Sequence, residues 1–171
     1  MGRFKEVNES VGEWEVEELI ITNSESESFS PAVGVKFYVF YGEVCLVLQV
    51  DRWSGSKKYH WFDSDGASVE TGIYKNSSDY RVAKPLCSAE DLKMVRKASR
   101  ELPAPFCRID FLKGESGLVF GEFAFNSGAP GAFSSLWDKK MGEAFVRAKK
   151  RLMRDFLEGK KFSHYQDVNF V

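Results

Sequence analysis

Histidine is nearly missing from this chain of 171 residues: only His60 and His164 occur, far apart in sequence. That removes the usual basis for a histidine metal centre or a Ser-His-Asp relay. Cysteine is scarce as well. Cys45, Cys87 and Cys107 are odd in number, widely spaced and fit no zinc or redox spacing. Cys45 and Cys107 sit in apolar, strand-like runs, which reads as buried reduced thiols and points to a cytoplasmic protein. No apolar run approaches the roughly 20 residues of a membrane helix. Met1 to Ser10 is polar and carries no signal-peptide pattern. A formal net charge of -1 supplies no overall field for nucleic acid or an anionic membrane. The basic and aromatic run Lys57 to Trp61 is short and lies in a chain that is not basic, so no nucleic-acid partner is expected.

What the chain does have is apolar bulk. Hydrophobic residues make up 43% and aromatics 15%, with 15 Phe and 4 Trp. That is ample for a folded core, and the length suits a single domain over residues 1–171, with 1–13 and 160–171 peripheral.

Periodicity divides the chain into strands and helices. Trp14 to Thr22 reads as a strand carrying Glu17 and Glu18, and residues 23–31 as a polar loop. Val35 to Val50 reads as a hairpin turning at Tyr41-Gly42-Glu43. Asp51 to Ser56 is a polar turn containing Arg52. Lys58 to Phe62 is a short aromatic strand, and residues 63–80 an irregular surface loop. Ser88 caps a helix with Glu90 and Asp91 in its first turn, running to about Glu101 before Pro103. Met141, Phe145, Ala148, Leu152 and Phe156 recur at helical spacing between about Asp138 and Glu158, and Gly159 ends that helix. The order predicts an α+β fold, an antiparallel sheet backed by helices.

The segment from Arg108 to Gly131 carries the chemistry. It reads as two strands around a Gly-flanked turn, each with one acid in an apolar run: Asp110 and Glu122. A three-residue loop, with Gly114 facing Leu118, sets Asp110 opposite Glu122, Leu112 opposite Phe120 and Arg108 opposite Ala124. A two-residue turn at Glu115-Ser116 slips the register by one and sends the acids to opposite faces. Ile109, Phe111, Val119 and Phe123 alternate with the acids and mark a core face. Two facing carboxylates repel, and a Mg²⁺ ion bound to both relieves this, its shell completed by phosphates and water. Asn126 and the amides of residues 127–131 are candidate contacts for a phosphate. The plainer alternative is a solvent-facing amphipathic hairpin with Arg108 paired to one acid. Lys36 and Arg52 are candidate phosphate cations or ordinary surface charges. Glu17 and Glu18 are candidate ribose ligands or ordinary strand-edge acids.

Arg108-x-Asp110 on one strand, Gly121-Glu122 on the next, a Gly-rich loop and Trp137-Asp138 before a helix together resemble the ATP-grasp superfamily, in particular its TupA-like type linked to cell-surface polysaccharides. Glu17-Glu18-Leu19-Ile20 is similar to that family's hinge strand. Val35 to Phe40 with Gly42-Glu43 is similar to its K-F hairpin, Asp51-Arg52-Trp53 to its D-R-F, and His60 to Asp63 to its N-F-Y-D. The similarity covers most of residues 14–157.

The resemblance implies the C-terminal core of an ATP-grasp fold, with ATP and Mg as cofactors and a small-molecule or glycan carboxylate as substrate. A carboxylate is phosphorylated and an amine then displaces the acyl phosphate. Carried over by position, Asp110 and Glu122 are metal ligands. Glu17, Glu18, Ile20 and Asn126 contact the cofactor. Lys36, Arg52 and Arg108 are catalytic cations facing phosphate. Ala124 stands where the family often has Asn or Thr. The resemblance further implies a nucleotide-gripping subdomain supplied by an upstream part, a partner chain or a homo-oligomer. Two alternatives accompany it: a shortened, non-catalytic binding or assembly module, and an unrelated carbohydrate- or protein-binding domain with Trp53, Trp61 and Trp137 on its surface.

Overall fold

The computed structural model describes residues 20–23, 30–52, 56–76, 84–128 and 131–162. Strand β1 (Ile21–Asn23) pairs with the short β2 (Ser30–Pro31). The main sheet contains β3 (Val33–Phe40), β4 (Glu43–Asp51), β5 (Lys58–Asp63), β6 (Cys107–Gly114) and β7 (Gly117–Ala124). Its order is β5-β4-β3-β6-β7, with every neighbouring pair antiparallel. Helix α1 (Ala89–Arg100) and helix α2 (Ser135–Leu157) complete an α+β architecture.

Side-chain alternation sends the two halves of each strand's apolar content to opposite faces. On one face Phe37, Val47, Phe62, Ile109 and Phe111 pack with Val95 of α1 and with Leu102. On the other, Tyr38, Phe40, Leu46, Leu48 and Trp61 pack with Trp137, Ala144, Ala148 and Leu152 of α2. The sheet is therefore the middle layer of three, and both of its faces bury aromatic and branched side chains.

Local chemistry explains the element ends. The Ser88 side chain accepts from the Asp91 amide at 3.1 Å while Asp91 accepts from the Ser88 amide at 2.7 Å, a reciprocal cap that starts α1. The β3–β4 connection is the two-residue turn Tyr41-Gly42, with φ of 42° and 90°. This is the left-handed turn that matches strand twist. Gly42 is favoured by its left-handed φ, and a Cβ there would also displace the flexible side chain of Arg100, whose Nε would lie 2.4 Å away.

Several expectations are corrected. Asn23 ends strand β1 and Ser30–Pro31 form β2, where a loop over residues 23–31 was expected. Helix α2 starts at Ser135, before Asp138. Phe145 and Phe156 share the helical spacing of Met141, Ala148 and Leu152, yet they are 41% and 47% exposed. The small residues Ala144 and Ala148 are what meet the sheet, so the two rings lie off that stripe. Residues 63–76 are irregular and largely exposed as expected, but the segment is anchored inward: Thr71 and Ile73 are buried, and the Ile73 carbonyl accepts from Trp61 Nε1 at 2.9 Å. Trp61 and Trp137 are 0% and 5% exposed, so neither presents a surface for sugars. Trp53 lies outside the described residues. Cys107 is buried and Cys45 and Cys87 half-buried, all as free thiols. Burial pushes each thiol up to about 11, which keeps it protonated at neutral pH.

Helix α2 is tied to the β3–β4 turn by a charged clamp. Glu43 pairs with Arg147 and with Arg151, whose Nη2 also donates to the Phe40 carbonyl at 2.8 Å. Tyr41 Oη donates to Asp155 at 2.7 Å. The Arg147 hydrogen bond holds the Glu43 carboxyl below its ordinary value of 4.5. A carboxylate lowered in the folded state contributes stability that is present above the ordinary value and lost as pH falls through the lowered one. Urea denaturation of the chain and of Glu43→Gln should therefore differ most at about pH 6 and converge near about pH 3. An equal gap at both pH values would show that the clamp's charge contributes nothing.

Candidate functional site

Asp110 lies in the middle of β6, flanked by β3 and β7, and is only 6% exposed. A buried carboxylate must be compensated by charge and hydrogen bonds. Register supplies the partners. Lys36 on β3 stands directly across from Asp110, and its ammonium pairs with Oδ2. Arg108, two residues along the same strand and therefore on the same face, grips Asp110 with both arms. Its Nε donates to Oδ1 at 2.7 Å and its Nη2 to Oδ2 at 2.9 Å. That hydrogen bonding raises the Arg108 pKa above its already high ordinary value. Arg108 Nη2 also reaches Glu122 Oε1 at 3.6 Å.

Glu122 stands directly opposite Asp110 on β7, as the three-residue loop predicts, although the turn is the two-residue one at Glu115-Ser116, with Gly114 facing Gly117. A bulge reconciles the two. The register runs Asp110 with Glu122 and then Phe111 with Phe120, leaving Gly121 as the extra residue. The slip that the short turn introduces is undone before Glu122 is reached. Leu112 consequently faces Val119, not Phe120. Gly121 passes close to β6, where a Cβ would come within 3.2 Å of the Asp110 carbonyl oxygen. The bulge also sets Phe120 and Phe123 side by side, with centroids 4.8 Å apart. The expected core face is thus only half realised. Ile109 and Phe111 are buried, whereas Val119 and Phe123 on the edge strand are 38% and 40% exposed.

Lys36, Asp110, Glu122 and Arg52 line one cleft of ≈ 320 Å³, with Gly34, Leu112 and Gly121 in its wall. With Arg108 beside it, three cations stand against two carboxylates, which favours an anion. Asp110 Oδ2 is saturated by Lys36 and Arg108, but Oδ1 accepts one bond and Glu122 is largely free at 66% side-chain exposure. Each carboxylate oxygen has about two acceptor directions. Each acid therefore keeps an oxygen with unused acceptor capacity, a donor set of the hard kind that suits Mg²⁺ completed by phosphates and water. No cluster of three or more metal-ligating side chains occurs among the described residues.

The other expected contacts lie elsewhere. Ile20 packs near Gly114, with Cγ2 3.1 Å from where a Cβ would sit, four residues along β6 from Asp110, or about 13 Å at strand rise. Glu17 and Glu18 lie outside the described residues. Asn126 is not in the charged cleft. Its Oδ1 accepts from the Gly128 amide at 3.1 Å, and it borders a separate, apolar cavity. That bond also occupies one of the amides expected to bind phosphate. Sequence reasoning missed Tyr38, which faces Arg108 across the strands and donates to the Ser127 carbonyl at 3.2 Å. Burial pushes its hydroxyl up to about 12. The alternation that places Lys36 on the cleft face also places Tyr38 there, and this was the available signal.

Removing one member of this cluster should cost more than removing two. Arg108→Met leaves Asp110 under-compensated and should cost about 3 kcal/mol. Combining it with Asp110→Leu should recover at least about 1 kcal/mol of that loss, Lys36 turning its ammonium to water. Denaturant melts of the two single variants and the pair give the coupling. Strict additivity would show that the cluster is not energetically linked.

Among comparisons with known proteins, neither a curated protein nor a solved structure matches the chain. A family model described as TupA-like ATPgrasp matches residues 3–146, a span that includes every strand of the cleft and the first half of α2. On that match, the chain belongs to the TupA-like ATP-grasp family.

Proposed function

We propose that the cleft around Asp110 binds Mg-ATP and serves ATP-dependent ligation of a carboxylate to an amine, in the synthesis of a cell-surface polysaccharide or its peptide conjugate. The observation that carries this reading is the cross-strand pair Asp110 and Glu122, each with an oxygen left open, beside Lys36, Arg52 and Arg108. Family membership supports it.

In such a reaction an oxygen of the substrate carboxylate attacks the terminal phosphorus of ATP. The bond to ADP breaks and an acyl phosphate forms. The amine then attacks the carbonyl carbon and loses a proton, and inorganic phosphate leaves. Lys36, Arg52 and Arg108 would neutralise charge on the transferring phosphoryl group, as preorganised cations do. Asp110 and Glu122 would hold the magnesium ion, which would supply Lewis-acid stabilisation of phosphate charge. Arg108, gripped by Asp110 in a two-armed pair, is fixed in direction before any ligand arrives.

A second reading has an observation of its own. Ala124 has no ligating atom where the family often carries Asn or Thr, and Asp110 is already compensated by protein cations. Both features suit a module that keeps the fold and binds without turnover.

Calorimetric titration with ATP distinguishes these. Saturable binding is expected with Mg²⁺ present, and it should fall at least about tenfold without Mg²⁺ or in Asp110→Asn and Glu122→Gln, since each removes a charged ligand. Magnesium-independent or absent binding would rule out the ligase reading for this chain and leave the binding module.

A further inference from the structure

On the same side of the sheet as the charged cleft, but beyond the loop of Asn126 to Gly128, lies a larger cavity of ≈ 500 Å³. It opens between that loop, the segment before β6 and the N-terminal half of α2. Its size falls within the range of small-molecule sites. Its walls are rings, among them Phe40, Phe106, Phe125 and Phe145. Phe125 and Phe145 are 56% and 41% exposed, so the aromatic surface faces the open space and is not consumed by the core.

Helix α2 contributes Asp138, Met141, Gly142 and Phe145 to this cavity. These positions are spaced i, i+3, i+4 and i+7, one ridge of a helix. Gly142 has no structural explanation in packing, while Asp138 also suits the first turn of α2. Glycine inside a helix is destabilising by about 1 kcal/mol relative to alanine, and Gly142 is not forced by crowding, since a Cβ built there meets nothing within 4 Å. Gly142 is exposed and lines the cavity without a side chain to occupy it. Asp138 is the one charged residue lining the cavity among the described residues, and its carboxylate forms no ion pair there. An open aromatic cleft with a single exposed carboxylate is complementary to a flat apolar body bearing a cation, which both the ring faces and the acid attract.

The cavity is mechanically joined to the charged cleft. Ser127 lines it while its carbonyl accepts from Tyr38, the residue facing Arg108. A Cβ on the neighbouring Gly128 would come within 3.0 Å of Arg108 Nη1, so the loop lies directly against the cation that grips Asp110.

We propose that this cavity is a binding site for a primary amine carried on an aromatic or similarly flat apolar group, held by Asp138 and seated over Gly142. Placing such an amine as the nucleophile of the ligation rests on the function proposed above; its binding does not.

The test uses phenethylamine as probe and the whole chain, without nucleotide or magnesium, so that its outcome is separate from that of the Mg-ATP titration. Saturable amide shifts at Ser127 and Gly142 are expected in a nuclear magnetic resonance titration. Asp138→Asn should weaken binding about fivefold or more, and phenylpropionate, with the same ring and opposite charge, should bind at least as poorly. Gly142→Leu, which favours the helix while filling the cavity, should abolish binding, and the milder Gly142→Ala should weaken it. The proposal is overturned if no saturable shifts appear, if phenylpropionate binds as well as the amine, or if both Gly142 variants bind like the parent.

Discussion

The carboxylate of Asp110 sets the terms for the middle of the sheet. Lying inside a strand with almost no exposure, it needs opposite charge within hydrogen-bonding reach. Its compensation comes from β3 through Lys36 and from its own strand through Arg108, and Arg108 passes part of its charge on to Glu122 of β7. Three strands are thereby held in a register that apolar pairing alone specifies less sharply. A one-residue slip of β3 would move Lys36 to the apolar face beneath α1 and leave Asp110 short of a cation.

Two faces of one sheet divide the work. The α1 face is closed by Phe37, Ile109, Phe111 and their neighbours, and supplies burial. The α2 face is apolar where α2 packs on β3 and β4 through Tyr38, Phe40, Leu46 and Leu48, and turns polar at Lys36 of β3 and along β6. Lys36, Arg108 and Asp110 occupy the uncovered part. The site exists where the second layer stops, which leaves room for a ligand and lets cations on rigid strands face it.

Much of this was legible from residue pattern. Ser88 with Asp91 three positions on is a capping signature that depends on nothing distant, and α1 began there. Tyr41-Gly42 between alternating apolar runs fixed the first hairpin for the same reason. The facing of Asp110 and Glu122 was one of two registers left open, and it arises by neither route as expected: the turn is the two-residue one that would have separated the acids, and the bulge at Gly121 restores the pairing. A bulge is an accommodation between two strands, and a glycine in one of them signals it only once the partner's register is known. The exposure of Phe145 was hidden because helical spacing defines a stripe but not which edge of it meets the sheet. Asn126 was assigned to phosphate by its nearness in sequence to Glu122; the chain turns after β7, and the side chain closes its own loop instead.

The charge balance of the cleft constrains how a metal could enter it. Lys36, Arg52 and Arg108 outnumber Asp110 and Glu122, so a bare dication approaches a surface that already carries excess positive charge. A magnesium ion that arrives on a nucleotide comes inside a complex that is anionic overall, and the same excess then attracts it. On the proposed function Asp110 and Glu122 would hold the metal while Lys36, Arg52 and the already oriented Arg108 face phosphate. On that proposal the cluster would not be a magnesium site that later recruits ATP. It would be an anion site whose carboxylates select the anion that carries a metal, and the internal pairing of Asp110 compensates the burial of its charge.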